Sequence, residues 1–152
     1  MKSLEIKRQL LSECIGRLEE KVRTAKEAMD EAQQTANAFK GAMESRYDTF
    51  KEEAQALRNG FARKVQEVGE ILAIMRQVNI EETDVIGVGS VIETDKRCYF
   101  VSTGIVDDEI EIDGRTFHFV GFRAPIVQAF RGIRPGETVE LRGAKFKLIK
   151  IW

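Results

Sequence analysis

Apolar residues recur at Leu4, Leu11, Ile15, Leu18, Val22, Ala25, Met29, Ala32, Ala36, Phe39 and Met43, with Arg8 the one polar place in a series that steps alternately by four and three. That is the heptad spacing of a coiled-coil seam. A second series, stepping by three then four, runs through Tyr47, Phe50, Ala54, Leu57, Phe61, Lys64, Val68, Ile71, Met75 and Val78, interrupted only at Lys64. Two seams of matching length with Gly41 near the midpoint predict an antiparallel helical hairpin over 1–78, its tip at about 40–48. Arms of roughly 35 residues at about 1.5 Å each make a rod on the order of 50 Å long, longer than any globular core is thick, so it is expected to project from a base.

Local preference agrees with the pattern. No proline lies between Lys2 and Val78, and Ala25, Ala28, Ala32 and Ala36 are small enough to let two helices approach closely. Gly16, Gly60 and Gly69 each cost about 1 kcal/mol against alanine in a helix, and Asn59-Gly60 is by itself a turn signal. The apolar phase nevertheless continues from Leu57 through Phe61 to Val68, which predicts one helix with room for a bend at Gly60.

After Val78 the period changes. Residues 79–84 are polar and acidic and read as a linker. From 85 onward the runs 85–93, 97–103, 109–112 and 115–120 are rich in Val, Ile, Phe and Thr and are separated by turn signals, which predicts a β-meander. Asp113-Gly114 is the strongest of these turns, a two-residue hairpin connection. Pro125 opens a short helix over 126–131, Arg134-Pro135-Gly136-Glu137 forms a tight turn, and 138–141 and 145–151 close the sheet of a second domain spanning 85–152. The fold class is α+β.

The chain has 152 residues and a formal charge of −1 from 24 basic and 25 acidic side chains, so neither nucleic acid nor a membrane attracts it through the far field and any basic surface is local. Cys14 and Cys98 fall in different elements and are expected to be buried, reduced thiols. The first residues lack an apolar signal core and no run approaches the roughly 18 apolar residues of a membrane span; a cytoplasmic protein with no membrane partner is expected.

Little in the second domain suits catalysis. The only histidine, His118, alternates with Phe117 and Phe119 on a predicted strand, facing solvent or a neighbouring strand, and no nucleophile pattern accompanies it. Gly87-Val88-Gly89 lacks the further glycine and helix of a dinucleotide site and reads as a strand-entry bend. Asp107, Asp108, Glu109, Glu111 and Asp113 lack the spacing and glycine of a calcium loop and read as a solvated acidic hairpin. Beyond them the sign reverses: Arg115, Arg123, Arg131, Arg134, Arg142, Lys145, Lys147 and Lys150 face only Glu137 and Glu140. At the other end, Glu44 and Asp48 lie four apart near the hairpin tip, on one face of a helix that starts by Glu44, with Lys40, Arg46 and Lys51 beside them. Two such carboxylates either stabilise the helix dipole or share a magnesium ion held elsewhere; alone they cannot hold one.

The layout resembles the bacterial Gre-type transcription elongation (transcript-cleavage) factors, an N-terminal coiled-coil hairpin followed by an FKBP-like domain. The resemblance is most specific in Asp113-Gly114-Arg115-Thr116-Phe117, in Ala124-Pro125-Ile126-Val127-Gln128-Ala129-Phe130-Arg131-Gly132 and in Pro135-Gly136-Glu137-Thr138-Val139. It implies an accessory factor and not an enzyme, with no cofactor of its own. Its partner is RNA polymerase, whose secondary-channel rim the globular domain meets through Arg123, Ala124, Pro125, Ile126, Arg131 and Arg134. The hairpin brings Glu44 and Asp48 to the polymerase magnesium and Lys40, Arg46 and Lys51 near the RNA 3′ end, while contact with DNA stays open. The family's tip acids are three residues apart; here the spacing is four, with Arg46 between, which suits either stimulated cleavage or a regulator that occupies the channel without promoting it. A prolyl isomerase rests on the fold alone and lacks a convincing aromatic pocket, with only Tyr99, Phe117, Phe119 and Phe122 spaced to build one. A purely structural adaptor leaves the acidic tip unexplained.

Overall fold

The computed structural model describes residues 2–38 and 44–152 and, at 44–47, the backbone alone. Helix α1 spans Ser3–Ala38 and α2 spans Glu44–Arg76; then come β1 (Val91–Thr94), β2 (Cys98–Ser102), β3 (Glu109–Ile112), β4 (Arg115–Gly121), α3 (Pro125–Ala129), β5 (Thr138–Leu141) and β6 (Ala144–Ile151). The chain divides into two compact units, Arg17–Leu72 and a second formed by Met1–Gly16 with Ala73–Trp152. Among the described residues no helix is long and apolar enough to cross a membrane.

In Arg17–Leu72 the buried positions follow the heptad closely on α1: Leu18, Ala25, Ala32 and Ala36 are buried and Val22 and Met29 half-buried. On α2 the repeat is the expected one at alternate places only. Ala54 and Val68 are buried and Phe61 half-buried, but between them Arg58 and Val65 are half-buried while the expected Leu57 and Lys64, each one residue earlier, are exposed. Leu57 is 56% exposed. The shift from Lys64 to Val65 spares the seam a buried ammonium, whose desolvation would cost several kcal/mol. The expected seam members Phe39, Met43 and Tyr47 lie outside the described residues and side chains. α2 runs through Asn59-Gly60 without a break, and a Cβ on Gly16, Gly60 or Gly69 would meet nothing within 4 Å.

In the other unit the buried face of α1 is not the expected seam. Leu4 and Arg8 are exposed and Leu11 and Ile15 only half-buried; Ile6, Leu10 and Cys14 are the fully buried residues. Steps of four advance about 40° around a helix, so the buried face turns by about 120° between Ile6 and Leu18. The first turns belong to the unit that contains the sheet, and they bury the face this unit requires. Lys7 is buried there too, its Nζ donating to the Glu81 carbonyl at 3.0 Å, and desolvation holds its pKa below the ordinary lysine value.

The sheet has the order β3-β4-β2-β1-β6-β5, with β2 and β4 parallel and every other neighbouring pair antiparallel. It is not a meander. Asp113 and Gly114, at φ 53° and 75°, make the expected hairpin between β3 and β4, yet the second strand of that hairpin joins β2. Glu109 and Glu111 on β3 explain why: a strand with alternating carboxylates is kept at the edge, while β4 supplies the buried Phe117 and Phe119 to the interior. A second two-residue turn, Arg142-Gly143 at φ 51° and 80°, joins β5 to β6.

α3 covers one face through Ile126, Val127 and Phe130, which pack with Ile92, Tyr99, Val101 and Leu148. Val91, Phe100, Phe117, Phe119 and Trp152 are also buried, with edge-on ring pairs Phe100–Phe119 at 5.9 Å and Phe117–Trp152 at 6.3 Å. The segment before β1 carries a bend rather than strand: Gly89 N donates to the Val101 carbonyl at 2.8 Å, and Ser90 Oγ donates to the Gly87 carbonyl at 2.7 Å.

Both cysteines are buried and neither is in a disulfide. Burial, reinforced by the Glu93 carboxylate, pushes the Cys98 thiol up to about 11 from 9.0. Folding thus favours the neutral thiol: its contribution is complete below pH 9.0 and is lost as pH rises toward about 11, a change of up to about 3 kcal/mol. Tyr99, raised by burial, adds to the same alkaline loss, and Lys7 opposes it. Urea unfolding should therefore show a falling midpoint between pH 9 and pH 11, with the fall markedly smaller in Cys98→Ala. An equal alkaline loss in the variant would remove Cys98 as its source.

Candidate functional site

The residues around α3 are placed by a short chain of local causes. Pro125 occupies the first helical turn, where its missing N–H costs nothing, and Ala124 precedes it in extended conformation at φ −58°, ψ 145°. Ile126 and Val127 are buried, so the helix is anchored by the side chains that follow its proline. Gln128 Nε2 donates to the Phe122 carbonyl at 3.0 Å, tying the helix back to the end of β4. Phe130 caps the helix with both Gln128 and Val127 carbonyls within reach of its N–H, and Gly132, at φ 72°, turns the chain away.

Two arginines emerge from that turn. The Arg131 guanidinium lies 4.6 Å from the centroid of the Phe122 ring, a stacked arrangement that fixes its direction. Arg134 is held through its backbone: its N–H donates to Glu137 Oε1 at 2.7 Å, and Glu137 N donates back to the Arg134 carbonyl at 3.0 Å across Pro135-Gly136. Gly136, at φ 92°, donates to the Leu148 carbonyl and so pins the turn to β6. Arg131 and Arg134 line one cleft of about 380 Å³ together with Val85, Ile86, Ile133 and Ile151. The cleft is an apolar floor with two exposed cations beside it and Asp84 at its margin.

Of the residues expected at a docking surface, the structure thus brings Arg131 and Arg134 together. Arg123 and Pro125 are exposed and Ala124 half-buried, but none of them lines that cleft, and Ile126 is 9% exposed with its side chain in the core. The sequence does not single out Val85, 68% exposed, and Ile86, because the run 85–93 reads as strand with a bend at 87–89, whereas β1 begins only at Val91 and leaves both residues outside the sheet. The surrounding basic excess is also smaller than expected. Arg115 pairs with Glu93 and stacks over Phe117 and Trp152, and Lys150 reaches Glu82 at 3.4 Å; both acids precede the basic segment 115–150.

At the other candidate site α2 begins at Glu44, so Glu44 and Asp48 are four apart within one helix, and Asp48 and Lys51 are exposed. Lys40 and the side chains of Glu44 and Arg46 lie outside the described residues and side chains. His118 faces its neighbouring strands, with Nε2 at 2.6 Å from Glu109 Oε2 and 3.1 Å from Arg97 Nη1. The acids Asp107, Asp108, Glu109, Glu111 and Asp113 are exposed along the edge of the sheet.

No family model matches the chain, and no curated protein matches it. Among solved structures the chain is similar to GreA factor homolog 1 (Gfh1) of Thermus thermophilus, at 19% identity over 91% of this chain and 94% of that chain with a TM-score of 0.39. It is likewise similar to the transcription factor Gfh1, at 17% identity over 90% and 92% of the two chains with a TM-score of 0.38.

Proposed function

We propose that the chain is a transcription elongation factor that binds the secondary channel of RNA polymerase and stimulates the polymerase's own cleavage of backtracked transcripts. In this reading α1 and α2 form an antiparallel coiled-coil hairpin, the sheet with α3 is an FKBP-like docking domain, and Glu44 and Asp48 act as oxygen donors at the polymerase magnesium. Lys40, Arg46 and Lys51 lie near the RNA, and the factor brings no metal of its own.

The observation that carries the reading is the order of elements: helices of 36 and 33 residues precede every strand, and the sheet that follows bears a proline-opened α3 with Arg131 and Arg134 on one cleft. Long helices that carry a pair of acids at the turn, joined to a unit with its own cationic cleft, separate docking from chemistry along one chain. A second reading, occupancy of the channel without cleavage, is favoured by the four-residue spacing of Glu44 and Asp48 with Arg46 between them.

A cleavage assay on a stalled, backtracked elongation complex decides between them. Acceleration by the protein selects the first; inhibition, or binding with no change, selects the second. Docking is tested on the same complex by reversing both cations of the cleft, Arg131→Glu with Arg134→Glu. Affinity should fall by about tenfold or more, since the change removes two attractive charges and adds two repulsive ones. Unchanged affinity in the folded double variant would remove this cleft from the docking surface.

A further inference from the structure

A second surface lies on the helical unit Arg17–Leu72. There a cleft of about 320 Å³ opens between α1 and α2, floored by Ala25, Ala28 and Phe61 and flanked by Lys21 and Lys64. It exists because α1 places alanines opposite a phenylalanine that is only half-buried, leaving space a larger α1 side chain would fill. The apolar floor extends along α2. Leu57 is 56% exposed and precedes Lys64 by seven residues, and Phe50, 43% exposed, precedes Leu57 by seven, so all three share one stripe beside the buried seam.

Cations outnumber acids in the lining of the cleft, Lys21 and Lys64 against Glu20. Glu20 also borders it, and its carboxylate is engaged by Arg23, whose Nε donates to Oε2 at 3.0 Å and whose Nη2 pairs with Oε1 while Nη1 reaches Glu27 Oε1 at 2.8 Å. Among the described residues no hydrogen bond or ion pair engages Lys21 or Lys64. We propose that this flank is a docking groove for an acidic amphipathic helix of a partner protein, seated with an apolar side chain over Ala28 and Phe61 and carboxylates beside Lys21 and Lys64.

A helix is the occupant because Phe50, Leu57 and Lys64 follow one another at seven residues along α2, the spacing that a third helix laid along two would match, with Lys21 of α1 as the cation on the other side. A second copy of this chain would set the same lysines against each other. A nucleic acid would gain two phosphate contacts but leave the aliphatic floor of Ala25, Ala28 and Leu57 uncovered. This surface is independent of the cleft beside α3 and of the acids near the start of α2, and it goes beyond the reading above.

The test uses the full chain, isotope-labelled, with a synthetic helical peptide of about 18 residues bearing leucines at heptad spacing flanked by glutamates. Backbone amide shifts should change at 21, 25, 28, 57, 61 and 64. Ala28→Leu, which fills the cleft with a good helix former, should weaken binding by about tenfold, and Lys64→Glu by about fivefold. The same peptide with lysine for glutamate, or with serine for leucine, should bind at least about tenfold more weakly. The proposal is overturned if no shifts occur at about 1 mM peptide, if they centre elsewhere, or if the lysine peptide binds equally well. Concentration-dependent shifts at these residues without peptide would assign the flank to self-association, and stronger binding of a uridine oligonucleotide there would assign it to RNA; either result overturns the proposal. Should Ala28→Leu unfold, Lys64→Glu and the two control peptides still decide.

Discussion

Alanine at Glu44 or at Asp48 is expected to lower stimulated transcript cleavage by about 100-fold or more while leaving affinity for the elongation complex unchanged. The size follows from the role. A carboxylate that ligates a catalytic magnesium or orients its water acts on the charge that develops in the transition state, and removing one well-placed group of that kind commonly costs two orders of magnitude. Affinity survives because the proposed docking cleft is built from residues 84–86, 130–134 and 151, remote in sequence from both acids. Cleavage rates and binding are therefore to be measured in parallel on one backtracked complex. If the wild type does not stimulate and both variants compete with a Gre-type factor as well as it does, the channel-occupying reading holds. Full stimulation by either variant would remove that carboxylate from the mechanism and leave it as a charge at the start of a helix.

Much of the fold was legible because it rests on short-range rules. The helices follow from a heptad carried through more than thirty residues without proline, and Asp113-Gly114 and Pro125 act within a few residues of themselves. The misreadings arise where partners are distant in sequence. Leu57 and Val65 are equally apolar by type, and only packing against a second helix decides that Val65 is covered and Leu57 is not. Ile6, Leu10 and Cys14 replace Leu4, Leu11 and Ile15 because the first turns of α1 share a unit with a sheet more than seventy residues away. The parallel β2–β4 pair needs the twelve residues 103–114 to cross over, and the reason for it, two glutamates that keep β3 at the edge, is visible only once the strands compete for places. The Arg142-Gly143 turn carries a weaker signal, because arginine is an unusual residue at positive φ.

The candidate docking cleft was half legible. Arg131 and Arg134 stand out as cations flanking a proline-glycine turn, whereas the Phe122 ring that orients Arg131 and the floor supplied by Val85 and Ile86 come from other elements. The basic surplus of 115–150 is smaller than its own residues imply, since Glu82 and Glu93 reach Lys150 and Arg115 from earlier in the chain.

Gly89, in the bend before β1, is the position with the largest expected effect on stability. Its φ is 96°, a region L side chains rarely adopt, and a Cβ there would lie 2.5 Å from Val78 Cγ1 and 2.7 Å from the Asn79 carbonyl oxygen. Two costs therefore combine in Gly89→Ala: the backbone strain of a side chain at positive φ and the displacement of the segment that follows α2. The second has no cheap outlet, because one of the atoms met is main chain and Gly89 N is itself held to the Val101 carbonyl at 2.8 Å. With strain of about 1–2 kcal/mol and overpacking of about 1–3 kcal/mol, a loss on the order of 2–5 kcal/mol is expected, a large part of the stability of a small protein. The neighbouring Gly87 is the control: its φ is not positive and a Cβ meets nothing within 4 Å, so Gly87→Ala should stay within about 0.5 kcal/mol of wild type. The reporter is at hand, for the single tryptophan, Trp152, is buried and exchanges backbone hydrogen bonds of 2.7 and 3.0 Å with Val91, two residues beyond the substitution. Urea unfolding followed by its fluorescence should separate the two variants clearly; equal midpoints for both would mean that the close approach of Val78 and Asn79 to Gly89 does not hold this unit together.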